Sequence, residues 1–325
     1  FDLSYMLPVS FLLAQSLNGN NDNLQLGLSF KYNPIDEIMW VTDFFVDYLN
    51  LSELLKFNFE SKHSFAFKSG FIYTPKNSFC TRLSFNYTLL SPYIYTHVEY
   101  EDETSDALKT STINYQNYTN NGYPIGASYE PNSDAINFSL DFVPISRLHL
   151  KVLTTFMRQG NVCENYTDSE AVQYLMSDYG IYNTSGGFFT HANYGNSLTG
   201  NPSVVPTAWN SMNFINQEHV MYLIQAGINA DYSFKPVIKE KIHISLKLSY
   251  MFEFIHNYGI QNEIYPGVNA VANDSNNDGI IDSFSVGDTY FLNASQLVDF
   301  YRNKWIDKLE DKINHYFTIG ICIKF

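Results

Sequence analysis

From Tyr316 onward the chain alternates without a break: Phe317, Ile319, Ile321, Ile323 and Phe325 stand two apart, with Thr318, Gly320, Cys322 and Lys324 between them. A period of two puts successive side chains on opposite faces of a strand, so this segment has one apolar and one polar face. The same pattern recurs along the chain. Nowhere does a run approach the roughly 18 to 20 apolar residues of a spanning helix; Leu12-Leu13-Ala14 is interrupted at once by Gln15 and Ser16. If the chain enters a membrane it must do so as β-structure, because only helices and closed barrels satisfy every backbone group in lipid. Aromatic residues make up 17% of the chain, a load that suits the aromatic girdles of such a barrel better than a soluble enzyme. The fold expected is all-β, a transmembrane antiparallel β-barrel. The alternative, a soluble β-sandwich with two large insertions, has no need of apolar residues at nearly every outward position.

An aromatic residue at the very end of an alternating strand looks like the assembly signal of bacterial outer-membrane barrels. Upstream, Leu24 to Tyr32 alternates and is closed by Asn33-Pro34; Ile38 to Val46 and Leu51 to Phe59 read as the next strands. Phe65 to Tyr73 ends at Pro75-Lys76-Asn77, Phe79 to Leu89 follows, and Tyr93 to Tyr100 continues into an acidic run. Ile136 to Phe142 turns at Pro144-Ile145-Ser146 into Leu148 to Phe156, and Val220 to Tyr232 and Ile242 to Phe252 meet near Pro236. About a dozen strands result, most of the roughly 9 to 11 residues that cross a bilayer at a tilt. Short turns fall on one side, and long polar loops at 101–133, 160–217 and 255–311 on the other, the side expected to be extracellular. Leu26, Leu28, Phe85, Phe138, Leu140, Ile244, Ile319 and Ile321 are the expected lipid-facing set. The whole of 1–325 reads as one barrel domain. Phe1, Leu3 and Tyr5 alternate with Asp2 and Ser4 as at the end of a strand, and further residues are expected upstream.

Two helices are expected beside the strands. Ser295 to Asp311 carries Leu297, Val298, Tyr301, Trp305, Ile306 and Leu309 at helical spacing, with Ser295 as N-cap, and Pro8 to Ala14 reads as a short helix folding into the lumen. Arg82, Asp141, Lys151 and Lys247 fall on inward positions, where they solvate a wet lumen or tune passage. Cys80, Cys163 and Cys322 show no metal-ligand spacing. Cys80 and Cys322 sit on presumed inward positions, so a lumen disulfide and isolated thiols are both open, with isolated thiols the favoured reading. His243 and Ser245 share a face and His97, His149 and His191 stand alone; with no nucleophile elbow or paired catalytic motif, the chain reads as non-enzymatic. A net charge of −14, without a basic run, excludes nucleic acid as a partner.

One loop carries a sharp ligand pattern. Asp274, Asn276, Asp278 and Asp282 stand at positions 1, 3, 5 and 9, with Gly279 at 6 and the Ile280 carbonyl at 7, as in the first part of an EF-hand-type calcium loop. Such spacing lets a tight turn aim alternate oxygens at one hard cation. Position 12 is Ser285 where a bidentate Glu is usual, and Asp288 is available to complete the shell; an ordinary Asn/Asp-rich surface turn is the competing reading. Tyr and Asn crowd the long loops. Tyr115, Tyr118, Tyr123, Tyr129 and Trp209 are the candidate glycan-stacking residues, in a mixture that equally suits a protein interface or a simple seal over a barrel mouth.

Several segments together resemble the capsule assembly Wzi family. They are Pro8-Val-Ser-Phe11, Asp22-Asn23-Leu-Gln-Leu-Gly27-Leu-Ser-Phe30, Phe44-Phe-Val-Asp47 with Leu51 and Glu53, Ser91-Pro-Tyr-Ile-Tyr-Thr-His97, Asn117-Tyr-Thr-Asn-Asn-Gly122-Tyr-Pro-Ile-Gly126, and Asn132-Ser-Asp134. The likeness covers roughly residues 1–160. It departs at Leu7, where the family has Asn, and at Tyr48, where it has a second acid. The resemblance implies a large barrel in the outer membrane of a diderm bacterium, with a helical periplasmic part upstream and a lectin-like role holding surface polysaccharide. The −14 charge repels an acidic glycan at long range, and a calcium ion at Asp274 would ease this locally. Alternative readings are an outer-membrane channel or hydrophobic-substrate transporter, and a structural partner of other outer-membrane proteins in a surface or motility complex.

Overall fold

The computed structural model describes residues 26–49, 51–58, 60–61, 63–76, 78–92, 94, 119–120, 123–124, 129–176, 212–234, 243–274 and 281–324. In chain order the elements are β1 (Leu26–Ile35), β2 (Ile38–Leu49), α1 (Leu51–Leu55), β3 (His63–Tyr73), β4 (Cys80–Leu90), β5 (Thr119–Asn120), β6 (Tyr123–Pro124), β7 (Ser133–Ile145) and β8 (Leu148–Gly160). A 3-10 turn (Val162–Asn165) leads to α2 (Asp168–Met176), β9 (Val220–Ser233), β10 (His243–Tyr258), β11 (Val271–Asn273), β12 (Ser283–Val286), β13 (Thr289–Phe291), α3 (Ala294–Ile306) and β14 (Glu310–Lys324). The protein is dominated by one nine-stranded sheet, ordered β1-β2-β3-β4-β7-β8-β9-β10-β14. Every neighbouring pair in it is antiparallel. Its edges, β1 and β14, are not paired with each other among the described residues.

Register turns the alternation into two continuous surfaces. Ile38, Tyr73, Leu83, Leu140, Val152, Ile228, Tyr250 and Phe317 lie side by side across eight strands. All eight residues expected to face lipid share this apolar face. The other face carries rows such as Gly70, Asn86, Asn137, Thr155, Gln225, Glu253 and Asn314. Arg82, Asp141, Lys151 and Lys247 are on it, as the sequence predicts. The few polar groups of the apolar face find one another. Trp40 Nε1 donates to Thr42 Oγ1 and Ser69 Oγ, these hydroxyls bond at 2.8 Å, and the Tyr250 hydroxyl meets His315 Nδ1 at 3.0 Å. The main-sheet strands run from 10 to 16 residues, enough to cross a bilayer at a tilt, which takes about 9 to 11.

Three local readings are corrected. Asn33-Pro34 and Pro144 do not close strands: they lie inside β1 and β7, where the ladder shifts between Tyr32 and Ile35 and between Phe142 and Ile145. Proline has no N–H to give a ladder and settles at such bulges; each chain then turns two residues later, at Asp36-Glu37 and Ser146-Arg147. The strand expected from Leu51 to Phe59 is corrected over its described residues, 51–58. They form α1 and a turn braced by the Glu53 carboxylate, which accepts from Lys56 Nζ at 2.7 Å and Asn58 Nδ2 at 2.8 Å. Cys80 does not share the face of Cys322. An extra residue, Thr81, carries Cys80 opposite Phe142 on the apolar face, while Cys322 pairs with Ser245 on the polar one. All three cysteines are free thiols.

The buried core lies at the loop end. Cys163, Tyr166, Ala171, Leu175, Ile260, Ile264, Tyr265, Phe284, Phe291, Leu297, Val298 and Trp305 belong to one cluster, built from α2, α3, the small β11-β12-β13 sheet and the loops between them. Ala135, Met157 and Met221, with Leu223 and Ile255 packed against them, join the same cluster. Every one of these sheet residues is on the polar face. The cap therefore sits on the face that the alternation makes polar and leaves the apolar face bare, with Phe317 and Ile319 each 75% exposed. In a sandwich the apolar face would be the core. Among the described residues nothing covers it, although a contiguous apolar surface of this breadth marks an interaction site.

Candidate functional site: the capped end of the sheet

Buried amides tie the cap to the strand ends. Asn132, at φ 56°, is fully buried. Its Oδ1 accepts from the Ile215 N–H at 2.8 Å and its Nδ2 donates to Gln217 Oε1 at 2.9 Å. Gln217 Nε2 reaches on to Asn165 Oδ1, at 2.8 Å. Gly160 leaves room for this contact: a Cβ there would fall 2.0 Å from Gln217 Oε1 and 2.9 Å from Asn132 Nδ2, so the amides would have to shift. Next to it, Asn161 Oδ1 accepts from the Cys163 N–H while Nδ2 donates to the Ile260 carbonyl at 2.8 Å. A buried polar group left unpaired costs about 1 to 3 kcal/mol, so these amides hold the loop arrangement together as one unit.

Helix α3 supplies the roof. Leu297, Val298, Tyr301 and Trp305 form one buried stripe, as the helical spacing predicts. The N-cap is Asn293, whose side chain accepts from the Gln296 N–H at 2.9 Å. The expected Ser295 cap and extension to Asp311 are both corrected: Leu309 lies in the turn after the helix and Asp311 already in β14. Asn reaches the exposed N–H groups from the residue where the backbone is still extended, at φ −161°. Tyr166 stacks on Tyr265, and Arg302 donates to the Tyr265 hydroxyl at 2.9 Å. Burial pushes the Tyr265 hydroxyl and the Cys163 thiol each up to about 12, so Cys163 is an inert core thiol. Burial also raises Glu263 to about 7 and raises Glu130; Glu263 Oε1, Glu130 Oε2 and Gln159 Nε2 are buried without a hydrogen-bond partner.

On the rim, His219 Nδ1 lies 2.5 Å from Glu164 Oε1, and the other Glu164 oxygen accepts from the His219 N–H. With Glu218 these side chains bring ligand atoms within 4.8 Å of one another, the one such group among the described residues. Glu218 and His219 are neighbours in the chain, but Glu164 joins them only through folding, so no local spacing announces the group.

The expected calcium loop falls largely outside the described residues, which include Asp274 and Asp282 but not Asn276, Asp278 or Ile280. The flanking geometry is described. Asn273 pairs with Ser283 at the base of the β11-β12 hairpin, and the Asp282 N–H donates to the Asn273 carbonyl at 2.8 Å, so one hairpin connection joins Asp274 to Asp282. Ser285 is in the ladder opposite Val271. Of the candidate glycan residues, Tyr115, Tyr118 and Trp209 lie outside the described residues and Tyr123 is in β6, paired with Asn120. Tyr129 packs against the cap cluster and against a second, small buried cluster of Leu90 and Ile94, and its hydroxyl donates to Asn137 Oδ1 on the polar face at 3.1 Å. Comparison with family models, known proteins and solved structures yields no match.

Proposed function

We propose that the nine-stranded sheet is the wall of a β-barrel in the outer membrane of a diderm bacterium, with the apolar face toward lipid and the polar face lining the interior. The observation that carries this reading is the position of the cap, which packs on the polar face and leaves the apolar one bare. Such barrels have an even strand number, so β1 and β14 would close through at least one further strand. Function is then placed at the loop end. The cap fills the interior beneath the loops, with Met157, Leu223 and Ile255 forming an apolar floor to it, which favours an anchor over an open pore. Together with the Wzi-like segments, this supports a non-enzymatic, lectin-like protein that holds surface polysaccharide on its extracellular loops. Calcium at Asp274, Asn276, Asp278, Ile280 and Asp282 would order the β11-β12 connection and offset the chain's negative charge. A glycan array with and without EDTA, run beside single-channel conductance in planar bilayers, tests this. Calcium-dependent glycan binding without conductance is expected. Conductance without glycan binding would transfer the protein to the transport class.

A further inference from the structure

At the end remote from the cap, the polar face of β7, β8, β9, β10 and β14 borders an open cavity of about 560 Å³, inside the range of roughly 300 to 1,000 Å³ typical of small-molecule sites. Its charged groups come from two adjacent rows. Asp141 on β7 faces Lys151 on β8. One step nearer the turns, His149, Asp231 and Lys247 follow on β8, β9 and β10. Opposite Lys247, Gly320 projects nothing into the space; a Cβ there would meet only the Lys247 Cβ, at 3.9 Å. Lys247 and Asp231 make a long ion pair of 3.7 Å. Asp141, His149 and Lys151 make no side-chain hydrogen bond or ion pair among the described residues, although Asp141 and Lys151 occupy facing positions. Arg82 on β4 flanks Asp141 on its other side. The cavity thus presents the Asp141 carboxylate beside the Lys151 ammonium, with the His149 imidazole one step away, none of the three bonded to another side chain among the described residues.

We propose that this cavity binds a small zwitterion the size of an amino acid or dipeptide, its ammonium on Asp141 and its oxyanion on Lys151 and His149. A ligand with one charge would meet half of the site and leave the other half to water, so complementary charge is the source of selectivity. The site belongs to the polar face as described and does not depend on closure of the sheet.

The test is calorimetric titration of the full chain, folded in detergent, with glycylglycine, acetate and ethylammonium. Glycylglycine is expected to bind saturably and at least about tenfold more tightly than either single-charge ion. Asp141→Asn and Lys151→Gln should each weaken it by about tenfold, the loss that follows from one charge-assisted hydrogen bond. Acetate or ethylammonium binding as tightly as the dipeptide, or no saturable binding of the dipeptide, overturns the proposal. The three-probe comparison is made on the unmodified protein and decides the matter even if a variant fails to fold.

Discussion

The turn end and the loop end of the sheet are built from different resources. At the turn end the connections are short, two residues at Asp36-Glu37 and Ser146-Arg147, and the polar face is left open around charged side chains. At the loop end the chain spends long connections on two helices and a small sheet, and the polar face gives way to Ala135, Met157, Leu223 and Ile255 beneath a buried core. Between the two ends lies a hydrogen-bonded belt in which Glu253 accepts from Gln225, Asn314 and the Tyr316 hydroxyl. The contrast teaches where burial is used. Among the described residues nothing covers the sheet's apolar face, and the cap holds the larger of two buried clusters, the other being Leu90 and Ile94 with Phe45 and Ala66.

That asymmetry can be broken at chosen points. Trp305→Ala empties the centre of the cap core, and a loss of about 3 to 5 kcal/mol is expected for a buried Trp. It should appear as an early cap transition in near-UV circular dichroism, while the β-sheet signal persists. If sheet and cap melt together, the two regions are not separable. Ile319→Arg probes the other surface. On a lipid-facing position it should cost about 2 to 4 kcal/mol in liposome unfolding, whereas Ser249→Arg, on the polar face, should be close to neutral. Equal effects at both positions would remove the distinction between the faces.

Gly160→Ala drives a methyl into Gln217 and Asn132. A cost of about 1 to 3 kcal/mol is expected from overpacking and lost amide bonds, read as faster hydrogen exchange confined to 160–166 and 212–219. The smallest effect is pH dependence. Burial raises Glu263 to about 7 from an ordinary 4.5, so the folded cap holds this proton more tightly than the unfolded chain. Cap stability should therefore be greatest at acidic pH, fall as pH rises through the window from 4.5 to about 7 and stay low above it. Glu263→Gln should flatten that slope in hydrogen-exchange measurements at pH 6 and 8, and an unchanged slope would assign it to another group.

Much of the sheet was legible because its signal is local. Period-two alternation is unbroken within β8, β9 and β14, and within β4 and β7 outside their bulges, and no distant information is needed to assign those faces. Pro34 and Pro144 misled because a proline inside a strand and one that ends it look alike until the ladder shows a bulge. Cys80 was misplaced for the same reason, since one inserted residue moves every earlier side chain to the opposite face. The cap was only partly legible. The α3 stripe has its own period, but the amide contacts join residues as far apart as Asn132 and Gln217 or Gln159 and Gln261, separated by 85 and 102 positions. The rim pair Glu164–His219 and the cavity at the turn end likewise exist only through register between strands.

In the proposed arrangement the apolar face meets lipid and the polar face meets water. Spin labels placed singly along β10 at Ser245, Leu246, Lys247, Leu248, Ser249 and Tyr250, in a background without the native cysteines, test it directly in liposomes. Collision with dissolved oxygen is expected to peak at Leu246, Leu248 and Tyr250, and collision with a water-soluble nickel chelate at the three alternate positions. Low accessibility to both probes at Leu246, Leu248 and Tyr250 would mean that protein, not lipid, covers the apolar face, and would contradict it.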